Sequence, residues 1–156
     1  MAADIKGLIY GLRDELILFQ LLSDDEVDRV IPYLEVIDYP KGTTIFNEGD
    51  EEDFVGFVTA GVLELKKDTE FEGRQIVIAL VRKGSFVGEI ALVDEKHTRS
   101  ATAVALENSE MIIMRRKALD AIVDKYPIIA VKILKGLNQV MAVRMRKAME
   151  RLASIF

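Results

Sequence analysis

The chain has 156 residues, the length of one domain, and its composition, half hydrophobic and 30% charged, is that of a globular protein. It contains no cysteine and a single histidine, His97, so disulfides, thiolate metal ligands and cysteine nucleophiles are excluded and no metal site is predicted. The net charge of −5 argues against direct nucleic-acid binding, because neutralising phosphates requires a basic face.

The N-terminal sequence and the apolar runs are typical of a cytoplasmic protein. Residues 1–11 lack the basic start and unbroken apolar run of a signal peptide. No stretch of the sequence approaches the roughly 18 consecutive apolar residues of a membrane span. We therefore predict a cytoplasmic location and no membrane span.

Two helices are predicted at the N-terminus. Apolar residues recur at helical spacing from residue 4 to residue 20, which predicts one continuous helix. Ser23 and Glu26 then have the spacing of a capping box, in which the hydroxyl and the carboxylate each accept a hydrogen bond from the other residue's backbone N–H. A second short helix is therefore predicted over about 24–34.

The middle of the chain is predicted to be all β. Short runs rich in Val, Ile, Phe and Thr are separated by glycine-containing turns, a pattern typical of a barrel or roll. The predicted strands are 34–39, 43–46, 54–59, 62–67, 74–81, 101–106 and 109–114. The residues Asp50 to Asp53, four acids in a row, lack the alternating pattern of a calcium loop and are interpreted as a hydrated turn.

Helix returns after the strands, over about 117–125 and 128–153, and Pro127 suits the first turn of the last helix. That helix carries two apolar stripes. One is a heptad seam of Leu134, Asn138, Met141, Met145, Ala148, Leu152 and Ile155. The other consists of Ile129, Ile133, Leu137 and Val140. Two stripes indicate two buried surfaces, so we predict that the second packs on the protein's own body and that the seam forms a homodimer. The alternative is that the seam docks on the body.

The last helix is basic and the rest of the chain is acidic. From residue 128 onward the net charge is +5, which leaves −10 for the remainder. The simplest interpretation is a hydrated polar face beside an acidic body, and the alternative is binding to an anionic membrane or an acidic partner.

The segment from Phe86 to Ala101 carries the residues that indicate function. Gly88 lets a ligand approach the backbone, and residues 89–92 are predicted to form one helical turn whose first N–H groups attract an anion. Arg99 adds a guanidinium that is suited to phosphate oxygens. Glu89 would be repelled by a phosphate, so we expect it to face a hydroxyl of the same ligand. This combination fits a nucleotide whose phosphate and ribose lie close together.

These residues resemble the phosphate-binding cassette of the cyclic nucleotide-binding domain family. The resemblance rests on Phe86 to Leu92, on Arg99-Ser100-Ala101 and on the rhythm of the turn glycines, and it is strongest to the branch of catabolite activator-like sensors. It implies an α+β fold: an antiparallel, jelly-roll-like β-roll flanked by N-terminal helices and a long C-terminal helix. The corresponding parts are 1–35, 36–116 and 117–156, within one structural domain.

The resemblance also implies roles for individual residues. Glu89 holds the ribose 2′-hydroxyl, Arg99 and Ser100 hold the cyclic phosphate, and the N–H groups of Ile90 and Ala91 assist. The further members of the implied site are Phe86, Gly88 and Ala101. The last helix becomes a lid and dimer seam, and it has no serine or threonine over 128–153. Arg144, Met141 and Met145 lie where the base would be covered, so stacking or a cation–π contact is expected to replace hydrogen bonding to the base. Ser100 favours cAMP over cGMP. No other cofactor is implied.

Two questions stay open at this point. Activator-like members continue into a DNA-binding domain, whereas this sequence ends at Phe156, so it is either a stand-alone sensor, acting through an effector protein, or a fragment. The absence of lid hydroxyls leaves an alternative function, a dimeric scaffold that keeps the fold without a ligand. An enzyme is disfavoured, because His97 lies in a polar loop with no evident nucleophile; this loop is expected to be exposed to solvent.

Overall fold

The computed structural model describes residues 4–92, 94 and 96–156, so two residues of the predicted cassette, Val93 and Glu95, lie outside the described part. Its helices are α1 (Ile5–Gly11), α2 (Ile17–Gln20), α3 (Asp24–Val30), α4 (Arg116–Lys125) and α5 (Pro127–Ala153). A single 3-10 turn, Ile31–Tyr33, leads from α3 into the first strand.

Within the residues that the structure describes, eight antiparallel strands form two four-stranded sheets. The strands are β1 (Leu34–Tyr39), β2 (Thr44–Phe46), β3 (Phe54–Ala60), β4 (Val62–Asp68), β5 (Gln75–Arg82), β6 (Phe86–Val87), β7 (Thr102–Ala105) and β8 (Ser109–Arg115). The first sheet has the order β1-β8-β3-β6 and the second has the order β2-β7-β4-β5. The predicted fold class, an antiparallel roll with helices before and after it, is confirmed. The two-residue strand β6 was not predicted.

Strand β8 contributes side chains to two hydrophobic clusters, one on each face of the first sheet. Along a strand, successive side chains point to opposite faces. Ile112 and Met114 pack in the cluster beneath the helices, whereas Met111 and Ile113 pack in the cluster between the two sheets. The first sheet is therefore covered on both faces, and the second sheet closes the roll.

The N-terminal segment is two helices rather than the one predicted over 4–20. Helix α1 ends at Gly11, and α2 begins at Ile17. Leu12, Leu16 and Phe19 are all buried, so their helical spacing predicted which side chains reach the core but not the interruption of the helix. The capping box of Ser23 and Glu26 at the start of α3 is confirmed.

Helix α5 is anchored to the body over its first half only. Ile129, Ile133 and Leu137 are buried in the helical core, as the second apolar stripe predicted. Gly136 lets α5 approach α2 closely, since a Cβ there would lie 2.9 Å from the Leu18 Cα atom. Met141, placed on the seam by its spacing, packs partly against the same core. From residue 142 to the end of the helix every residue except Arg144 is exposed.

No helix in the described part of the chain is long and apolar enough to cross a membrane.

Candidate functional site

The site begins at the short strand β6 and the turn that follows it. β6 pairs with β3, so that Phe86 lies opposite Phe57. The backbone then turns through Gly88, whose φ is +79°, and continues into a 3-10 turn over Glu89–Leu92. A Cβ at Gly88 would collide with the Arg99 guanidinium and would lie 2.6 Å from the Phe54 carbonyl oxygen. The predicted helical turn is present, and the group that approaches Gly88 in the structure is the protein's own Arg99; the approach of a ligand to Gly88 stays a prediction.

Arg99 is one of the most deeply buried charged groups of the protein, with 1% of its side chain exposed. Its Nη1 donates to Glu52 Oε1 at 3.0 Å and to the Phe54 carbonyl at 3.1 Å. Its guanidinium carbon lies 4.1 and 4.3 Å from the ring centres of Phe46 and Phe54. Arg99 Nε and Nη2 are buried, and no acceptor contacts them within the described part of the chain. A buried donor without an acceptor is costly, so these two nitrogens have unused hydrogen-bonding capacity that an anionic acceptor would satisfy.

Glu52 is the partner that the sequence interpretation missed. Its side chain is 5% exposed, so the interpretation of residues 50–53 as a hydrated turn is wrong for this residue. The acidic turn is drawn against the cassette by two backbone hydrogen bonds, Arg99 N to the Asp50 carbonyl and Gly49 N to the Arg99 carbonyl, each at 2.8 Å. Burial raises the pKa of Glu52, and the neighbouring Arg99 opposes that rise. Nothing local in a run of four acids identifies the one that turns inward.

His97 reaches the same carboxylate from the other side. Its Nε2 lies 3.4 Å from Glu52 Oε2, and 30% of its side chain is exposed. Both of these atoms are buried and lack a hydrogen-bond partner in the residues that the structure describes. The expected exposure to solvent is therefore wrong for the His97 side chain, which is mostly covered and whose Nε2 is buried.

Arg144 extends from α5 onto the start of the cassette. Its Nη2 donates to Ser85 Oγ at 2.6 Å and to the Phe86 carbonyl at 2.9 Å. Its guanidinium carbon lies 4.3 Å from the centre of the Phe86 ring, and Nη1 is 3.9 Å from Glu89 Oε1. Burial lowers the pKa of Arg144, and Glu89 opposes that shift. Arg144, predicted from the sequence as a site residue, thus also connects α5 to the cassette.

Lys67, on β4, fixes the far end of the cassette. Its Nζ donates to the Ser100 carbonyl at 2.9 Å and to Glu48 Oε1 at 2.7 Å. Glu48 in turn accepts from the Asp68 backbone N–H at 2.9 Å. This network joins the second sheet to the residue after Arg99, and the sequence analysis did not predict it, because its members are far apart in the chain.

A cavity of about 360 Å³ lies between the cassette, the second sheet and α5. Its wall includes every predicted site residue except Ala91, namely Phe86, Gly88, Glu89, Ile90, Arg99, Ser100, Ala101 and Arg144. Ala91 is fully buried, and its N–H donates to the Gly88 carbonyl at 3.2 Å. Unpredicted members of the wall include the apolar residues Phe46, Leu65 and Val81, together with Glu52 and with Arg151 of α5. The cavity has the size of a small-molecule site.

Comparison with known proteins assigns the family. The model of the cyclic nucleotide-binding domain matches residues 36–126, more than half of the chain. The chain belongs to the cyclic nucleotide-binding domain family. As a member of that family it is similar to the cyclic AMP receptor protein of Thermus thermophilus, with 34% identity over 131 residues that cover 84% of this chain and 58% of that protein. It is also similar to human cGMP-dependent protein kinase 2, with 33% identity over 91 residues that cover 58% of this chain and 12% of the kinase.

Solved structures agree with this assignment. The catabolite activator protein of Thermus thermophilus has a TM-score of 0.74 and 32% identity, covering 89% of this chain and 62% of that one. A cyclic nucleotide-binding domain from Methylobacillus flagellatus has a TM-score of 0.83 over 96% of this chain and 86% of that one. Because the two sequences are only 24% identical, this likeness shows the shared fold alone. The chain spans 58% of the length of the first curated relative it matches.

Proposed function

We propose that this domain is a regulatory sensor that binds a cyclic nucleotide, performs no chemistry on it and couples its presence to the position of α5. The observation that carries the proposal is the buried Arg99: this residue lines the cavity, and its Nε and Nη2 have no acceptor in the described residues. A cyclic phosphate supplies two oxygens in the planar arrangement that a guanidinium binds best. Binding therefore satisfies donors that are otherwise left unpaired in a buried site.

The remaining groups of the wall fit the ribose and the phosphate. Glu89 lines the same cavity with 21% of its side chain exposed, so its carboxylate is available to accept a hydrogen bond from the ribose 2′-hydroxyl. Ser100 stands beside Arg99 with an exposed side chain, ready to donate to the phosphate. Help from the Ala91 N–H requires that this donor be shared with the Gly88 carbonyl, which already accepts from it.

The base belongs between the second sheet and α5. Leu65 and Val81 give that end of the cavity an apolar wall, and the two α5 residues that line it are both arginines, Arg144 and Arg151. A guanidinium stacks on an aromatic base as well as on Phe86. A base at this place contacts α5 directly, so it shifts the helix toward the position in which that contact is made. Ser100, by the family resemblance, favours cAMP.

Titration calorimetry with cAMP and with cGMP tests the proposal. Arg99→Lys keeps the charge and removes the two-pronged grip, so we expect it to weaken binding at least tenfold, and Arg82→Lys on the exposed edge strand β5 is the matched control. Thermal unfolding confirms that each variant is folded. Equal heats for the wild type and Arg99→Lys would reject the proposal.

The role of Glu89 has its own test, based on 2′-deoxy-cAMP. The wild type should bind cAMP more tightly than this analogue, because the analogue leaves the carboxylate without its partner. Glu89→Ala should bind the two ligands equally. A variant that still discriminates between them shows that another group reads the 2′-hydroxyl.

A second candidate function is a dimeric scaffold without a ligand. It is favoured by the distal half of α5 and the residues just after it, where Met145, Met149, Leu152 and Ile155 expose between 54% and 73% of their surface. An exposed apolar helix face of this kind can pack against a second copy of α5. We propose that the protein is a homodimer whether it is a sensor or a scaffold. Thermal shift separates the two functions, because a ligand at 100 times its dissociation constant adds about 2.7 kcal/mol of stability. A dimer by light scattering that no cyclic nucleotide stabilises supports the scaffold, and Leu152→Glu should make it monomeric.

The existence of an effector protein and the cytoplasmic location stay predictions from the sequence.

A further inference from the structure

The carboxylate of Glu52 has two oxygens with different surroundings. Oε1 accepts from Arg99 Nη1 at 3.0 Å. Oε2 is buried, has no hydrogen-bond partner among the described residues, and lies 3.4 Å from His97 Nε2, which is equally unpartnered. Two buried polar atoms left facing each other without a hydrogen bond require an explanation. A proton on Nε2 supplies one, since the imidazolium is then a cation within ion-pair distance of the carboxylate oxygen.

The charged groups around this contact determine how a proton on His97 changes the electrostatic potential at Arg99. Glu52 faces Arg99, His97 and Glu89, and its backbone carbonyl accepts from Arg116 Nη1 at 3.2 Å. Arg99 faces Asp50 and Asp53 as well as Glu52. Three acids therefore compete with an incoming phosphate for one buried guanidinium. The single imidazole on the other side of Glu52 is the group in this set whose type changes charge between about pH 5 and pH 8.

We propose that His97 is a positioning residue for the phosphate site: in its cationic form it pairs with Glu52 Oε2, offsets the negative charge that Glu52 directs at Arg99, and so tightens binding of the cyclic phosphate. The inference rests on the proposed function. His97 does not line the cavity, whereas Glu52 and Arg99 do, so its effect on the ligand passes through Glu52. Burial of the carboxylate favours this coupling, because charges interact more strongly where water is excluded.

The sign follows from electrostatics. Protonation adds one positive charge close to the site of an anionic ligand, so affinity rises as the pH falls. We expect the dissociation constant of cAMP to decrease about three- to tenfold between pH 8 and pH 5.5, a range consistent with one charge at a partly screened distance. By linkage, the bound nucleotide must increase the proton affinity of the imidazole by the same factor.

Calorimetric titration of cAMP at pH 8 and at pH 5.5 is the direct test. His97→Gln removes the charge change and should reduce the pH effect to less than twofold. Lys96→Gln, the neighbouring exposed residue, alters charge in the same loop and should keep the full pH effect. Glu52→Gln should bind more tightly than the wild type at pH 8 and lose most of the dependence, provided that thermal unfolding shows it to be folded.

Nuclear magnetic resonance gives a second readout, because His97 is the single histidine of the chain and its imidazole signal needs no assignment by mutagenesis. The midpoint of its titration should move to higher pH when saturating cAMP is added. A dependence on pH that is equal in the wild type and in His97→Gln, or a midpoint that cAMP does not move, overturns the inference while leaving nucleotide binding intact. Absence of binding at both pH values, in contrast, rejects the proposed function together with this inference.

Discussion

The guanidinium of Arg99 occupies the space that a side chain on Gly88 would fill. The two residues are brought together by the turn after β6 and by the backbone bonds that hold Arg99 against the Asn47–Asp53 turn. The positive φ of Gly88 and the closeness of the Phe54 carbonyl both demand glycine at this position. The architecture of the phosphate site thus depends on the absence of one methyl group.

Gly88→Ala should therefore destabilise the domain and abolish cyclic nucleotide binding. We expect a loss of about 2 kcal/mol or more, because a strained backbone and a displaced buried charge add together. Chemical denaturation and calorimetry measure the two effects. Gly73→Ala is the matched control, since Gly73 has a φ of +75° but a Cβ atom added there would meet nothing within 4 Å. It should show the backbone penalty alone, with unchanged affinity.

Arg144→Lys tests the link between the cavity and α5. A lysine keeps the charge but loses the flat contact with Phe86 and the geometry that reaches Ser85 Oγ and the Phe86 carbonyl. We expect a five- to tenfold loss of cAMP affinity, together with a smaller ligand-induced slowing of amide hydrogen exchange over 139–150, as a cation–π contact and its hydrogen bonds disappear. Arg146→Lys, outside the cavity wall, should behave like the wild type. If both variants respond alike, Arg144 does not carry the coupling.

Gly136→Ala tests how closely α5 packs on α2. Alanine favours helix by about 1 kcal/mol over glycine, yet here the added methyl group would press on the Leu18 backbone at 2.9 Å. We expect a net destabilisation of about 1–2 kcal/mol, because overpacking against backbone cannot be relieved by a rotamer change. Gly11→Ala at the end of α1, with nothing within 4 Å, should be neutral or stabilising. A stable Gly136→Ala would mean that the two helices separate easily.

The ion pair between Glu26 and Lys132 should make stability depend on pH. The Lys132 ammonium and the Ser23 N–H lower the pKa of Glu26 below its ordinary value of 4.5. A lowered pKa in the folded state gives stability that is present above the unfolded pKa and is lost as the pH falls through the folded pKa. We expect a contribution of about 0.5–1 kcal/mol at pH 7, because the lysine is partly exposed.

Urea denaturation of Glu26→Gln and the wild type at pH 7 and pH 3 measures this contribution. The two proteins should differ at pH 7 and converge at the lower pH. Asp25→Asn, on the same turn of α3 but without an ion pair in the described residues, separates the pair from the general effect of an acid at a helix N-terminus. An equal difference at both pH values would contradict the assignment.

The amino-acid sequence by itself determined most of the elements and their order, but not the division of the N-terminal helix or the short strand β6. Seven of the eight described strands and the capped helix α3 follow from periodicity and turn glycines. These are local patterns, which depend on residues close together in the chain and not on how distant segments pack. The cassette also follows from a contiguous run, so the family and about half of the cavity wall could be predicted from the sequence. The tertiary structure decided which distant groups meet. Glu52 and Arg99 are 47 positions apart, and Ser85 and Arg144 are 59 apart. Whether an acid in a run of four faces water or a buried arginine depends on packing between segments, and no local pattern encodes that choice.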